Sequence, residues 1–338
     1  MAERRVARIL VGFLGFGIVA ATLGWLPAEG ARAKGEVEIL AESPAPEEGY
    51  AEGGIDACLK CHDETSDFPV LRILQTPHAT KGDSRTPFGS ELGCQSCHGP
   101  SADHARKAEG EADRPSVAIH FGPETSAQTQ NQPCLGCHKG GTQMHWKGSA
   151  HDANDVACAS CHQVHAAEDP MLEPSDLRPE TWQRAQADTC FGCHPQQRAQ
   201  LHRVSAHPLK EGQMRCSDCH NPHGSTGPSL LARSNVNETC YRCHAEKRGP
   251  FLWEHAPARE DCSNCHEPHG SNHPSLLKSR GPFLCQQCHL AAFHPSTAYT
   301  ANRLPGPSPA NQLLTRNCLN CHTEVHGSNH PSGPRFTR

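Results

Sequence analysis

The chain has 338 residues, with 36 acidic and 31 basic side chains and a formal charge of −5. That balance excludes the basic character of a typical nucleic-acid-binding protein. Only 36% of the residues are apolar, 20 residues are cysteines, and the mean hydropathy is −0.63. These are too few aliphatic and aromatic side chains for the one or two conventional cores expected at this length, yet a disordered chain would not carry 20 cysteines. The composition therefore predicts an interior filled by something other than side chains.

Residues 1–33 have the three-part layout of a secretory signal peptide. Arginines precede an uncharged apolar stretch at 9–26, and a small-residue site, Ala31-Arg32-Ala33, follows it. The alternative is a retained membrane anchor, because the apolar stretch is just long enough to span a bilayer. We expect cleavage after Ala33 and export to the periplasm, with residues 34–53 forming an acidic linker before the first motif.

Every cysteine belongs to a C-x-x-C-H pentad, the signature of covalent c-type haem attachment. The ten pentads supply the candidate thioether cysteines Cys58, Cys61, Cys94, Cys97, Cys134, Cys137, Cys158, Cys161, Cys190, Cys193, Cys216, Cys219, Cys240, Cys243, Cys262, Cys265, Cys285, Cys288, Cys318 and Cys321. The candidate proximal iron ligands that end the pentads are His62, His98, His138, His162, His194, His220, His244, His266, His289 and His322.

The spacing suits the chemistry. Two intervening residues let both sulfurs reach the two vinyl groups along one porphyrin edge, and the following histidine turns back to give the iron a nitrogen. A zinc ribbon also uses C-x-x-C pairs but does not require a histidine after each pair. A thioredoxin-like redox pair would need one motif on a βαβ unit, not ten.

Ten haems would supply the missing interior, at about 30 residues of exported chain each. The predicted fold class is therefore a multihaem cytochrome c. It is mostly irregular, with short α-helices wrapped around a chain of ten haems and with little or no β-sheet. The long motif-free connections at 99–133 and 299–317 are predicted to be loops.

The remaining histidines suggest a second axial ligand for each iron. The exported chain has only three methionines, so histidine–methionine ligation cannot be general. The spare histidines instead repeat over five two-pentad units, one before and one after the second pentad of each unit. The candidate distal ligands are His78, His104, His151, His165, His207, His223, His255, His269, His294 and His326.

Two recurring segments support this choice. Ser-Ala-His occurs at 149–151 and 205–207, each time thirteen residues after a proximal histidine, and CSDCHNPHGS at 216–225 matches CSNCHEPHGS at 262–271, each followed by PSLL. A histidine three residues after a proximal one lies on the same side of that haem, so we expect it to ligate a neighbouring haem. Ten six-coordinate, bis-histidine irons would leave no open iron and would have low potentials, which predicts electron transfer without bond chemistry.

The segments CSDCHNPHGS, CYRCHAEKRGPFLWEHAP, CSNCHEPHGSNHPSLL and CQQCH resemble decahaem cytochromes of the MtrA/DmsE/PioA type, and the likeness covers about 54–333. The resemblance implies an elongated haem chain, a periplasmic protein associated with the outer membrane, and insertion into an MtrB-like β-barrel porin. It also implies an extracellular multihaem cytochrome and periplasmic or inner-membrane cytochromes as partners. Two pentahaem halves, 54–205 and 206–338, follow from the family description, whereas the residues themselves suggest five two-haem units.

Three functions remain open at this point. The first is a conduit that carries electrons across the outer membrane, to or from extracellular iron or another acceptor or donor. The second is a soluble periplasmic electron shuttle. The third is a multihaem reductase of a small nitrogen substrate, which would need an open iron, often marked by lysine in place of the pentad histidine. All ten pentads end in histidine, which disfavours the reductase.

Overall fold

The computed structural model describes residues 49–66, 68–80, 82–107, 112–165, 186–289, 317–331 and 333–336. All of them belong to a single structural unit. The predicted signal peptide, most of the acidic linker and the candidate ligand His294 lie outside the described residues. The same is true of the predicted loop at 299–317, except for residue 317.

The described residues form short helices joined by turns and irregular segments, and they contain no β-strand, only four isolated antiparallel bridges. The predicted fold class is therefore confirmed. The α-helices are α1 (Ile55–Leu59), α2 (Gln95–His98), α3 (Ala102–Arg106), α4 (Ala127–Cys137), α5 (Ala150–Ala153), α6 (Pro195–Leu201), α7 (Val236–Cys240), α8 (Ala256–Glu260) and α9 (Gly281–Gln286). Residues 186–191 are also helical. None of the helices in these ranges is both long and apolar enough to cross a bilayer.

All ten pentads fold into the same single helical turn. In each one, the backbone N–H of the histidine donates to the carbonyl of the first cysteine, at 2.8–3.1 Å. This turn places both cysteines before the histidine on one short arc of backbone. The common geometry follows from the pentad itself, because the residues between the cysteines differ from motif to motif.

The two pentads of a unit enter this turn differently. The first lies at or near the end of an α-helix, as in α4 and α7, whereas the second starts a 3₁₀ turn in four of the five units, such as Cys158–Ser160 and Cys262–Asn264. Side-chain caps fix where α4 and α7 begin, because Ser126 accepts from the backbone of Thr129 and Asn235 from that of Glu238.

The prediction that 99–133 is a loop was wrong. This connection contains α3 and the first half of α4. The cap at Ser126 was a readable signal for α4, but the helix has polar residues on every side and lacks the apolar periodicity that indicates a surface helix.

The interior of the described chain is short of apolar side chains, as the composition predicts. The buried apolar residues are Ile73, Trp146, Ala157, Ala187 and Leu201. The buried polar residues are more numerous, and five are amides that hold backbone groups: Gln95, Gln130, Asn131, Gln186 and Asn237.

Two of these amides join the two pentads of a unit. Asn131 lies three residues before Cys134, and its side-chain oxygen accepts the backbone N–H of Cys158 at 2.7 Å. Asn237 stands at the same offset before Cys240 and accepts the N–H of Cys262, also at 2.7 Å. Because an unpaired buried N–H costs about 1–3 kcal/mol, these bonds fix the second pentad against the helix that carries the first.

Candidate haem-binding sites

All twenty pentad cysteines lie in the described chain, and no disulfide joins any of them. In every unit the first cysteine of one pentad is in hydrogen-bond contact with the first cysteine of the next: Cys58–Cys94, Cys134–Cys158, Cys190–Cys216, Cys240–Cys262 and Cys285–Cys318. In the first four pairs the contact lowers the pKa of one thiol, to about 7 for Cys58 and for Cys134, and raises that of its partner. In the fifth, burial and then the neighbouring Cys318 raise the pKa of Cys285 to about 11. The five contacts pair the pentads into the same five units that the histidine spacing predicts.

In three units, the second cysteine of the second pentad lies close to cysteines of the following unit. Burial, followed by the nearby thiols of Cys134 and Cys137, raises the pKa of Cys97 to about 11. Burial and then the charges of Asp218, Cys240 and Cys243 raise the pKa of Cys219. Burial and then Cys288 do the same for Cys265. The attachment sulfurs of consecutive units are therefore neighbours at three of the four unit boundaries.

Nine pairs of imidazole rings lie side by side in the described chain, with interplanar angles from 11° to 72°, and each combines one pentad histidine with one predicted distal histidine. The ring centroids are 6.0–6.4 Å apart. The pairs, pentad histidine first, are His62–His104, His98–His165, His138–His78, His162–His223, His194–His151, His220–His269, His244–His207, His266–His326 and His289–His255.

This spacing fits an iron between the two rings. A metal–imidazole bond of about 2.0 Å on each face, with about 1.2 Å from ring nitrogen to ring centre, separates two coaxial imidazoles by about 6.4 Å. Direct aromatic stacking alone favours offset or edge-to-face contacts at variable distance, and does not require the same value nine times. The rings are therefore placed as the two axial ligands of a haem iron would be.

The pairing follows a staggered rule. In an interior unit, the histidine before the second pentad faces the first pentad of the following unit, as His151 faces His194. The histidine after the second pentad faces the second pentad of the preceding unit, as His223 faces His162. Each interior unit thus supplies a ring to both of its neighbours.

The first unit departs from this rule. His104 follows the second pentad of the first unit and faces His62 in that same unit, nearly parallel at 11°. At the other end, His322 belongs to the last pentad, and its predicted partner His294 lies outside the described residues.

Backbone carbonyl oxygens orient eight of these eighteen rings and also the ring of His322. In the described chain nine histidines have Nδ1 within 2.6–3.0 Å of a backbone carbonyl: His98, His104, His151, His165, His207, His220, His255, His266 and His322. Because a carbonyl can only accept, Nδ1 carries the proton, and Nε2 is left with the lone pair that binds a metal.

Two observations show that a group is expected between the rings. His104 Nε2 is buried and has no hydrogen-bond partner among the residues that the structure describes, although its Nδ1 donates to the carbonyl of Pro115. Burial also lowers the pKa of His223, His269 and His326 below the usual value, which favours the neutral ring. Neutral imidazoles with free Nε2 atoms are the donor set that haem iron takes from histidine, so the residues fit the group.

The PSLL segments aim one of these carbonyls at a proximal histidine. Ser229 and Leu230 have φ of 50° and 56°, and Ser275 and Leu276 have 56° and 58°. The carbonyl of Ser275 accepts from His266 Nδ1 at 2.7 Å, and that of Ser229 accepts from His220 Nδ1 at 2.9 Å. Left-handed conformations cost a non-glycine residue free energy, and here the turn directs a carbonyl to a candidate ligand.

Glycines follow distal histidines where two segments meet. A Cβ on Gly224 would lie 2.0 Å from the carbonyl oxygen of His145, and a Cβ on Gly270 would lie 2.1 Å from that of Gln200. Both glycines have positive φ, 106° and 142°. The recurring His-Gly-Ser sequence is thus explained by close backbone approach.

Sequence reasoning missed the buried amides and the role of PSLL. The signal for the amides was present, because Asn131 and Asn237 stand at the same offset from a pentad cysteine. PSLL was recognised as a repeat, but its left-handed turn has no glycine to announce it. Of the five histidines outside the predicted ligand set, His330 accepts a hydrogen bond at its carbonyl from Trp253 Nε1, at 3.1 Å.

Comparisons with known proteins agree with this picture. Residues 207–249 and 255–292 match the doubled CXXCH motif family, and 94–178 match the cytochrome c-type protein NrfB-like family. The chain is 46% identical over 305 residues to the multiheme cytochrome MtrA of Shewanella baltica, covering 90% of this chain and 87% of that protein. It is 35% identical over 154 residues to the cytochrome c-type protein NrfB of Haemophilus influenzae, covering 41% of this chain and 64% of that protein. It is 25% identical over 225 residues to the polyheme cytochrome OmcB of Geobacter sulfurreducens, covering 58% of this chain and 26% of that protein.

Proposed function

Since the chain belongs to the MtrA family of multihaem cytochromes, we propose that it is a decahaem electron conduit that works across an outer membrane. The covalently bound c-type haems supply one-electron chemistry between ferric and ferrous iron. In this proposal each pentad holds one haem, nine irons take the ring pairs described above, and His294 completes the tenth with His322. Residues 1–33 would direct export to the periplasm and would then be removed by cleavage.

The observation that carries the proposal is the repetition of one kind of attachment site in sequence order. Within all five units the first cysteines of the two pentads are in contact. Cys97, Cys219 and Cys265 also lie near cysteines of the following unit. The distal histidines of each interior unit lie beside pentad histidines of the preceding and the following unit. An enzyme needs one differentiated centre, whereas this chain repeats one kind of site in sequence order, as transport of electrons along the chain requires.

Passage across a membrane requires a sheath. One fifth of the residues are charged, and charged or irregular backbone cannot face lipid. A wide β-barrel with a polar lumen is the structure that can enclose such a chain, so we propose an MtrB-like porin as the partner. Extracellular and periplasmic cytochromes would exchange electrons with the two ends, to or from iron or another acceptor or donor.

The test uses the haem-loaded protein expressed with its porin and purified from outer membranes. Both proteins are placed in liposomes loaded with a reduced dye, with soluble ferric iron outside. We expect dye oxidation only when both proteins are present. Liposomes with porin alone and with cytochrome alone are the controls.

The similarity of part of the chain to the cytochrome c-type protein NrfB favours a second candidate, a soluble periplasmic electron shuttle. The same preparation distinguishes the two functions. A cytochrome that is released without a porin, and that gives no dye oxidation in liposomes, would replace the conduit with the shuttle.

A further inference from the structure

Trp146 has a buried polar group without a partner. The residue is only 6% exposed, and its indole Nε1 has no hydrogen-bond acceptor in the described protein. A buried indole N–H usually finds an acceptor, because leaving it unpaired costs about 1–3 kcal/mol. Trp253 shows the ordinary arrangement, since its N–H donates to the carbonyl of His330.

The surroundings of Trp146 indicate where the missing acceptor lies. Its ring centroid is 6.4 Å from that of His223, and His223 faces His162 at 6.0 Å. Trp146 therefore borders the site proposed for the haem of Cys158, Cys161 and His162. The pyrrole nitrogens of a haem bind its iron, so the acceptors that a haem offers to a neighbouring N–H are its propionate carboxylates.

We propose that Trp146 Nε1 donates a hydrogen bond to a propionate of the haem held by Cys158, Cys161 and His162. The proposal rests on the haem site of the proposed function. The bond is of the charge-assisted kind. By stabilising the ionised carboxylate it reduces the negative field at the iron, so Trp146 is a positioning residue that raises the reduction potential of this one haem.

The repeat supplies a comparison within the same chain. The carbonyl of His145 meets Gly224 in the way that the carbonyl of Gln200 meets Gly270, so Trp146 and Leu201 hold equivalent positions. Both are buried, at 6% and 2% exposure, but leucine has no donor. The haem of His220 and His269 therefore lacks the bond that the haem of His162 and His223 has.

The experiment compares the haem-loaded wild type with Trp146→Leu, Trp146→Phe and the matched control Trp253→Phe. Ultraviolet resonance Raman difference spectra report hydrogen bonding of each indole N–H, and a potentiometric titration resolves shifts of single haems. We expect the Trp146 N–H to be strongly hydrogen-bonded, and one haem in both Trp146 variants to shift to lower potential while every iron stays low-spin. Trp253→Phe should leave that haem unchanged, and Leu201→Trp should raise the potential of one other haem.

Two results would overturn the proposal. One is a Trp146 N–H without a hydrogen bond in the loaded protein. The other is a hydrogen-bonded N–H whose removal shifts no potential, which would identify water as the acceptor. Neither result bears on the proposed function, because the haem count and the low-spin state are measured on the same samples.

Discussion

At the scale of single residues, the ring pairs place each candidate distal histidine of the described chain beside a pentad histidine that does not belong to its nearest pentad. His223 lies three residues after His220 but faces His162 at 6.0 Å, while His220 faces His269. This crossing places two covalent attachment segments and two ligand segments in one network. Substituting a distal histidine should therefore open a haem that is attached to a different pentad, and an experiment can identify which haem it is.

His223→Ala should therefore produce one high-spin iron in the oxidised protein, with all haems still covalently attached. The open iron should be the one bound through Cys158 and Cys161. Limited peroxide treatment attacks an open haem first, and peptide mapping shows whether the modified haem peptide contains CASCH or CSDCH.

The control is His202→Ala, which removes an exposed histidine at the end of α6. It should leave every iron low-spin. Modification of the CSDCH haem peptide in the His223 variant would contradict the crossed pairing, and a fully low-spin spectrum would show that His223 is not a ligand.

These residues also show what the sequence could and could not predict. The pentads and the five units could be predicted, because their spacing is local and repeats, whereas the choice of distal ligands stays a prediction. The pairing of His223 with His162 spans 61 positions and depends on how Gly224 packs against His145, which no local pattern contains. The amides of Asn131 and Asn237 were missed because a buried amide in a polar sequence resembles an exposed one.

At the scale of elements, the left-handed turns are the costly part of the repeat. Two successive residues of each PSL turn have positive φ, and left-handed conformation costs an L-residue roughly 1–2 kcal/mol. Both copies keep the turn at the same place, directly opposite a proximal histidine. The compensating gain is a carbonyl that fixes the ring of His220 or His266, together with bridges from His220 to Leu231 and from His266 to Leu277.

Ser275→Gly and Ser275→Pro should consequently behave in opposite ways. Ser275 is exposed, so neither change removes a buried side chain. Glycine accepts φ near 56° and retains the carbonyl, whereas proline holds φ near −65° and should draw the carbonyl away from His266. Thermal unfolding of the loaded protein measures the effect. We expect the free energy of unfolding of the glycine variant to lie within about 1 kcal/mol of wild type, and that of the proline variant to be clearly lower.

The equivalent pair, Ser229→Gly and Ser229→Pro, provides an internal repeat of this experiment at His220. If Ser275→Pro unfolded at the wild-type temperature, the turn would have no role in holding the proximal ring.

At the scale of the whole molecule, charge is distributed unevenly along the sequence. Residues 34–205 contain 25 acidic and 14 basic side chains, for a net charge of −11, whereas residues 206–338 contain 9 acidic and 13 basic side chains, for +4. Haem propionates would add equally to both parts, with five pentads in each, so the difference persists in the loaded protein. Because the Debye length is about 8 Å at physiological salt, an approaching partner responds to the part that it meets.

A cationic electron donor should therefore react mainly through the N-terminal part. Electrostatic steering changes association rates by about 10–10³-fold and weakens as salt rises. Replacing the exposed Glu52, Glu64 and Glu91 by glutamine should slow reduction by a small cationic reagent several-fold at low salt and flatten its salt dependence. The matched triple of Glu211, Glu246 and Glu260 changes the total charge equally but lies in the C-terminal part, so its effect should be smaller. Stopped-flow reduction at several salt concentrations measures both variants. Equal slowing by the two triples would mean that only the total charge steers the donor, and that the sequence asymmetry does not select an entry point.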